Sequence, residues 1–455
     1  MPEQRSICLL NDSFPPVIDG VANAVVNYAA AITKNYGSAA VATPFYPDAD
    51  DSVYPFPVLR YPSLDLTKLV GYRAGFPLSP ELMARVEAGR FDLLHSHCPI
   101  SSTLLGRMLR ERLGIPLVFT YHTKFDIDIA NAIRSKALQE AAIRVLAENI
   151  SDCDEVWTVS RGAGENLRAL GYAGDYLVMP NGVDIPAGRV PADEARAVGA
   201  GLDLPEDAPL FLFVGRMMWY KGLRITLDAL RRLSDAGRDF RMVFIGGGGD
   251  AEEVRAYAES LGLCGRVFFL PPIYDREVIR AWYCRADLFL FPSTFDTNGL
   301  VVREAAACAL PSALVAKSCA AEDVTDGQNG FLIEENAESL AALLLRVGGD
   351  RALLRAVGRA AQAELYLSWE DAVARACARY EIVLENHRAG VYARRERKPL
   401  ADSLLRATAE SLDALNALRA GAKEHQEAFE QNARRRQSET REKLAALRDR
   451  MERYL

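Results

Sequence analysis

One pattern constrains this 455-residue chain more than any other, and it occurs twice: short, continuous apolar runs separated by segments of helical period. In the first half the runs are Ile7–Leu10, Ala39–Ala42, Leu93–His95, Leu117–Tyr121 and Val156–Val159, with helical stretches such as Ala22–Ile32 and Ser102–Arg112 between them. A strand that is apolar on both sides has no solvated face. That is the mark of a parallel sheet covered by helices on both surfaces. The pattern restarts with Leu210–Val214, Met242–Ile245, Val267–Leu270, Leu288–Phe291, Ser312–Val315 and Phe331–Ile333, spaced by helices such as Ile225–Leu233 and Ala251–Leu261. The polar stretch Asp184–Pro205, which contains Pro186, Pro191 and Pro205, joins the two halves. The expected fold is α/β, with two doubly wound, Rossmann-like domains. Ligands of such sheets bind beyond the carboxyl ends of the strands, so the cleft between the domains is the expected site.

Composition narrows the function classes. Hydrophobic residues make up 49% and charged residues 25%, the proportions of a globular chain with a full core. No apolar run is long enough to span a bilayer, and Ile7–Leu10 is too short for a signal peptide, so a cytoplasmic protein is expected. The eight cysteines form no CxxC pair and read as free thiols. Five histidines without an HExxH motif or a Cys/His cluster give no dedicated transition-metal site. From His387 onward there are 16 basic and 11 acidic side chains, a net of +5, which leaves −12 on the rest. An acidic body argues against nucleic-acid binding.

Four loops fall where ligands of such folds sit. After the first strand runs Asn11 to Val21, with Asp19-Gly20 before a helix. Gly20 lets a ligand approach the backbone, although a loop that only turns the chain would use the same residues. After the first strand of the second half come Gly215-Arg216 and Lys221-Gly222, cations suited to a diphosphate. Gly246 to Gly249 follows Met242–Ile245 and resembles a dinucleotide fingerprint, but no acidic residue stands about 20 positions on. The richest loop is Pro292 to Ala305, which holds Asp296, Asn298, Gly299, Leu300 and Glu304. A helix starting near Gly299 would aim the N–H groups of Asn298, Gly299 and Leu300 at phosphate or sugar oxygens. The apolar neighbours of Glu304 mark it as a buried carboxylate.

These motifs, in this order, resemble a family 4 retaining glycosyltransferase of the two-Rossmann (GT-B) type. The family's pair of Glu residues separated by seven positions is matched by Asp296 and Glu304, with Asp in the first place. Its Gly-Arg and Lys-Gly motif is matched by Gly215-Arg216 and Lys221-Gly222, and its Asn-Gly-Val-Asp motif by Asn181 to Asp184. Ser368-Trp369-Glu370 is similar to the opening of the family's last helix, which crosses back to the first domain. The resemblance covers roughly residues 5–386. It implies a first, acceptor-side domain at 1–184, a nucleotide-sugar domain at 185–365, the crossover helix at 366–386 and a basic helical tail at 387–455. It also implies roles: Arg216 and Lys221 on the diphosphate, Glu304 on the ribose, Asp296 with Asn298, Gly299 and Leu300 on sugar and phosphates, and His122 on the donor sugar. His95 and His97 read as structural. No metal or cofactor is implied, and Asp126-Ile127-Asp128 carries little weight as a metal motif.

The stretch Tyr121 to Phe125, with Asp19-Gly20-Val21, is similar to the branch that glucosylates diacylglycerol. That similarity implies UDP-glucose or UDP-galactose as donor and a lipid acceptor, with Lys68, Leu69, Val70, Tyr72, Arg73 and Phe76 as a membrane-facing patch. A cell-wall or polysaccharide acceptor, a nucleotide-sugar epimerase and a non-catalytic sugar-nucleotide binder are the alternatives. In the tail, Arg394 to Lys398 suits an anionic membrane surface, and the broken apolar stripe from Leu405 to Met451 suits a homo-oligomer.

Overall fold

The computed structural model describes residues 4–17, 19–65, 73–76 and 80–392, and both expected sheets are present. The first is built from β1 (Arg5–Leu10), β2 (Gly37–Pro44) and β3 (Val58–Tyr61), followed by a small antiparallel hairpin, β4 (Ser63–Asp65) and β5 (Arg73–Gly75). It continues with β6 (Leu93–Ser96), β7 (Leu117–Tyr121), β8 (Glu155–Thr158) and β9 (Leu177–Val178). The seven strands lie parallel in the order β3-β2-β1-β6-β7-β8-β9. The second sheet comprises β10 (Leu210–Val214), β11 (Arg241–Ile245), β12 (Val267–Leu270), β13 (Leu288–Phe291), β14 (Ser312–Val315) and β15 (Phe331–Ile333), in the order β12-β11-β10-β13-β14-β15. Each order reverses beside one strand, β1 in the first sheet and β10 in the second, and the loops leaving those strands open onto the switch points.

Burial follows the strand period of two. Ile7, Leu9, Val41, Leu93, Val118 and Trp157 face one core of the first sheet, while Cys8, Leu10, Ala40, Leu94, Leu117 and Phe119 face the other. The helix Gly20–Asn35 covers the first of these faces together with the helix Trp369–Arg388. On the latter, Trp369, Ala372, Val373, Ala376, Tyr380, Val383 and Leu384 form an apolar stripe at helical spacing. Each large side chain buried this way stabilises by about 1.5–3 kcal/mol. Ser368 caps the helix start by accepting from the N–H of Asp371 at 3.0 Å. The last helix among the described residues therefore packs on the first, across most of the sequence.

Three elements escape the apolar pattern: β3, which carries Arg60, the two-residue β9, and the β4–β5 hairpin. Of the expected membrane-facing patch, Lys68, Leu69, Val70 and Tyr72 lie outside the described residues. Arg73 is engaged within the hairpin, 3.3 Å from Asp65 and 2.9 Å from Ser63 Oγ. Residues 393–455, including nearly all of the basic tail, also lie outside them. Among the described residues no helix is long and apolar enough to cross a membrane.

Candidate active site

The loops after β10 and β13 meet at the switch point of the second sheet. Gly222 makes this possible: its φ is +76°, and a Cβ there would sit 2.1 Å from the carbonyl oxygen of Pro292. The preceding residue, Lys221, is buried, and its ammonium lies 2.6 Å from Asp296 Oδ1. The rings of Tyr220, Phe291 and Phe295 surround it at 5.6, 5.7 and 5.9 Å. Asp296 Oδ2 accepts from Ser293 Oγ at 2.6 Å, so both carboxylate oxygens already have partners. Arg216 is exposed, with Nη2 2.8 Å from Tyr220 Oη.

The helix Leu300–Ala307 starts beside this pair. Gly299 turns the chain into it at φ +59°, where a Cβ would press on Ala320 at 2.9 Å, and no side chain caps the helix. An uncapped first turn keeps a field that attracts anions. Asn298 is buried, and neither atom of its amide has a partner. Two unsatisfied polar atoms in one buried side chain are costly and call for a ligand or water.

Glu304, one turn into that helix, is buried as expected. It accepts from Tyr283 Oη at 2.9 Å and lies 3.3 Å from Arg276 Nη1. Burial raises its pKa, and the nearby Arg276 charge opposes the rise. Arg276 Nη2 reaches Asp184 at 2.6 Å, and Asp184 also lies 3.4 Å from Asn23 in the first domain. The carboxylate thus ends a polar chain that crosses the cleft.

The glycine run behaves differently from a nucleotide fingerprint. A Cβ on Gly246 would fall 1.9 Å from the carbonyl oxygen of Gly215, and one on Gly248 2.4 Å from that of Met217. The Met217 N–H donates to the Gly247 carbonyl at 2.8 Å. These glycines bring two protein loops together and so brace the Arg216 loop.

On the opposite wall, Gly20 faces open space, but the helix start behind it is already capped. Asp19 accepts from the N–H groups of Val21 and Ala22 at 2.9 and 2.7 Å. That terminus holds its own carboxylate at the place where the sequence allowed a ligand to approach. His122 is buried and neutral, its pKa lowered from 6.5 to about 3 by desolvation. Its Nε2 lies 2.9 Å from His97 Nδ1 and its Nδ1 3.4 Å from Asn181 Nδ2. The two walls touch here: Thr297 Oγ1 donates to the His122 carbonyl at 2.7 Å, and Lys124 Nζ to the Thr294 carbonyl at 3.4 Å. Lys221, Asp296, Asn298 and the His122 backbone therefore form one neighbourhood. Arg216 joins it through Tyr220, whose ring lies 4.4 Å from Phe295. No described hydrogen bond links Gly20 to that group.

Residues 18–186 match the family described as Glycosyltransferase Family 4, and residues 199–364 match Glycosyl transferases group 1. A D-inositol 3-phosphate glycosyltransferase of Xylanimonas cellulosilytica is 32% identical over 340 residues, covering 70% of this chain and 78% of that protein. The chain is a family 4 glycosyltransferase. A second enzyme of the same name, from Actinosynnema mirum, is 32% identical to this glycosyltransferase over 332 residues, covering 68% of this chain and 77% of its own. Two solved structures share the fold at 21% identity and a TM-score of 0.65. One is Anabaena HepE in complex with UDP and glucose, covering 83% of this chain and 100% of its own; the other is sucrose-phosphate synthase from Thermosynechococcus elongatus, covering 84% and 100%. The relatives carry the inositol phosphate name, where the sequence motifs had suggested a diacylglycerol glucosyltransferase branch.

Several residues of this glycosyltransferase's site went unnoticed in the sequence. Arg276 and Tyr283 hold Glu304 from a helix in which no motif stands out, and nothing local signals them. Asn181 and Asp184 were visible only as parts of a linker motif. His97, which looked structural, is the direct partner of His122.

Proposed function

We propose that this glycosyltransferase moves a hexose from a nucleoside diphosphate sugar to an acceptor hydroxyl, with retention at the anomeric carbon. The observation that carries the reading is the uncapped start of the helix Leu300–Ala307, beside the buried Lys221 ammonium and the unpartnered Asn298 amide. A helix dipole, a desolvated cation and a waiting amide together suit a diphosphate. Arg216 and Lys221 then neutralise the leaving diphosphate, the N–H groups from Asn298 to Leu300 hold its oxygens, Glu304 takes the ribose, and His122 and Asp296 meet the sugar. Retention follows from front-face attack: the acceptor oxygen bonds to the anomeric carbon as the phosphate leaves, and that phosphate takes the acceptor proton. The protein's part is to stabilise charge on the departing phosphate. Arg216, Lys221 and the helix start supply that field, so no metal is assigned to the step.

The relatives' name supports a water-soluble polyol phosphate or glycan as acceptor. The lipid reading loses support, because Arg73 of the expected patch is held inside its hairpin. The test is incubation of the full chain with UDP-glucose, UDP-galactose and UDP-N-acetylglucosamine, with and without inositol 3-phosphate, followed by NMR of the products. Release of UDP with an α-linked product is expected. Isomerised free nucleotide sugar would point to an epimerase, and binding without turnover to a non-catalytic module; either result overturns the proposal.

A further inference from the structure

His122 and His97 meet nitrogen to nitrogen at 2.9 Å, and both rings are buried. Desolvation keeps both neutral, so each ring carries one N–H and the two facing nitrogens share a single proton. The far nitrogen of His97, Nε2, has no partner. If His122 donated, His97 would carry its hydrogen on that orphaned Nε2, a buried donor with nothing to accept it. If His97 donates from Nδ1, the orphan is a bare lone pair, the more tolerable of the two faults. His122 then holds its proton on Nδ1, the nitrogen 3.4 Å from the Asn181 amide. Asn181 Oδ1 has no partner, and a half-turn of that amide would let it accept from this N–H.

His97 cannot easily swing away. Its ring lies tilted against that of His95, with centroids 4.1 Å apart, and Tyr28 meets both rings edge-on at 5.3 and 5.7 Å. His95 is itself pinned, with Nδ1 2.6 Å from Tyr380 Oη and Nε2 2.7 Å from Thr120 Oγ1. The 2.9 Å contact is therefore the fixed end of His122, and the 3.4 Å contact to Asn181 is the one a hydroxyl can displace. We propose that His97 is a positioning residue, which donates to His122 Nε2 and so presents His122 Nδ1–H, as a donor, to a hydroxyl oxygen of the bound sugar. This rests on the reading above that His122 faces the donor sugar.

The test uses the full chain with UDP-glucose as donor. His97→Leu removes the bond and is expected to lower kcat on the order of 10- to 100-fold, the scale of a misplaced active-site group, with KM for the donor little changed. His97→Asn puts an amide N–H near the place of Nδ1 and is expected to recover most of the loss. Long-range ¹H–¹⁵N NMR of the wild type is expected to show the His122 proton on Nδ1, and the Leu variant a tautomer mixture. Wild-type turnover in His97→Leu overturns the proposal, as does equal loss in folded Leu and Asn variants. Should neither variant fold, a His122 proton found on Nε2 in the wild type overturns it alone. A wild type that turns over no nucleotide sugar sinks instead the function reading on which this rests.

Discussion

The buried histidines make a quantitative prediction about acid. His122 holds its pKa near 3 in the fold against 6.5 in the unfolded chain, because desolvation disfavours the imidazolium. The unfolded state therefore takes up the proton first as pH falls. Stability from this group is complete above about pH 6.5 and is lost progressively toward pH 3. From those two values, acidification from pH 8 to pH 5 removes about 2 kcal/mol through His122 alone. His95 and His97 are shifted the same way and add to the loss. Asp12 works against it: this carboxyl is buried and accepts from the N–H groups of Ser101 and Ser102, and desolvation raises it from 3.8 to about 6. The folded state keeps that proton, so Asp12 returns about 1.4 kcal/mol over the same interval. The assay is hydrogen exchange of peptides from β6 and β7 between pH 5 and pH 8, corrected for intrinsic rates. His122→Gln removes one titrating group, and the opening free energy should flatten by about 1.2 kcal/mol per pH unit between pH 5 and 6. Asp12→Asn should steepen it. Parallel slopes in wild type and His122→Gln would refute the reasoning, whatever the absolute stabilities.

Arg216→Ala and Lys221→Ala should each cost on the order of 2–4 kcal/mol in transition-state stabilisation, measured as kcat/KM for donor turnover. Their stabilities should differ: Arg216 is exposed and its loss leaves Tm unchanged, whereas Lys221→Ala strands Asp296, lowers Tm and is relieved by Asp296→Ala. Glu304→Gln keeps an acceptor for Tyr283 but drops the charge facing Arg276, and calorimetry should show weaker UDP binding by roughly 1–3 kcal/mol. Gly246→Ala should destabilise by about 3 kcal/mol or fail to fold, since its Cβ would meet the Gly215 carbonyl at 1.9 Å; a normal Tm would contradict the packing role. Truncation after Asn386 should leave donor turnover intact while changing oligomer mass or vesicle binding, both read on the purified chain.

The sheets were legible because their strands are buried on both faces, which writes an unbroken apolar run into the sequence. Val58–Tyr61 escaped because Arg60 interrupts it, and that side chain is held by Asp51 and the carbonyls of Pro15 and Pro44. Leu177–Val178 is too short to carry any period. Burial of Glu304 was legible from its apolar neighbours, but its partners were not: Arg276 and Tyr283 precede it by 28 and 21 residues and meet it only after two helices pack. The glycine run misled for a related reason. Glycine records that something comes close to the backbone without recording what, and here it is the neighbouring protein loop.

The stripe from Trp369 to Leu384 gives the molecule an order of assembly. A ribosome releases the chain in order, and the helix Gly20–Asn35 is made early, yet the part of the first sheet's face that Trp369 and Tyr380 cover stays bare until the described chain is almost fully made. The second sheet, by contrast, has its last strand by Ile333 and packs with the helix Ala337–Val347 soon after. The domain begun first is thus the domain finished last. During synthesis its apolar face around Tyr28 and Trp157 is the surface most in need of a chaperone.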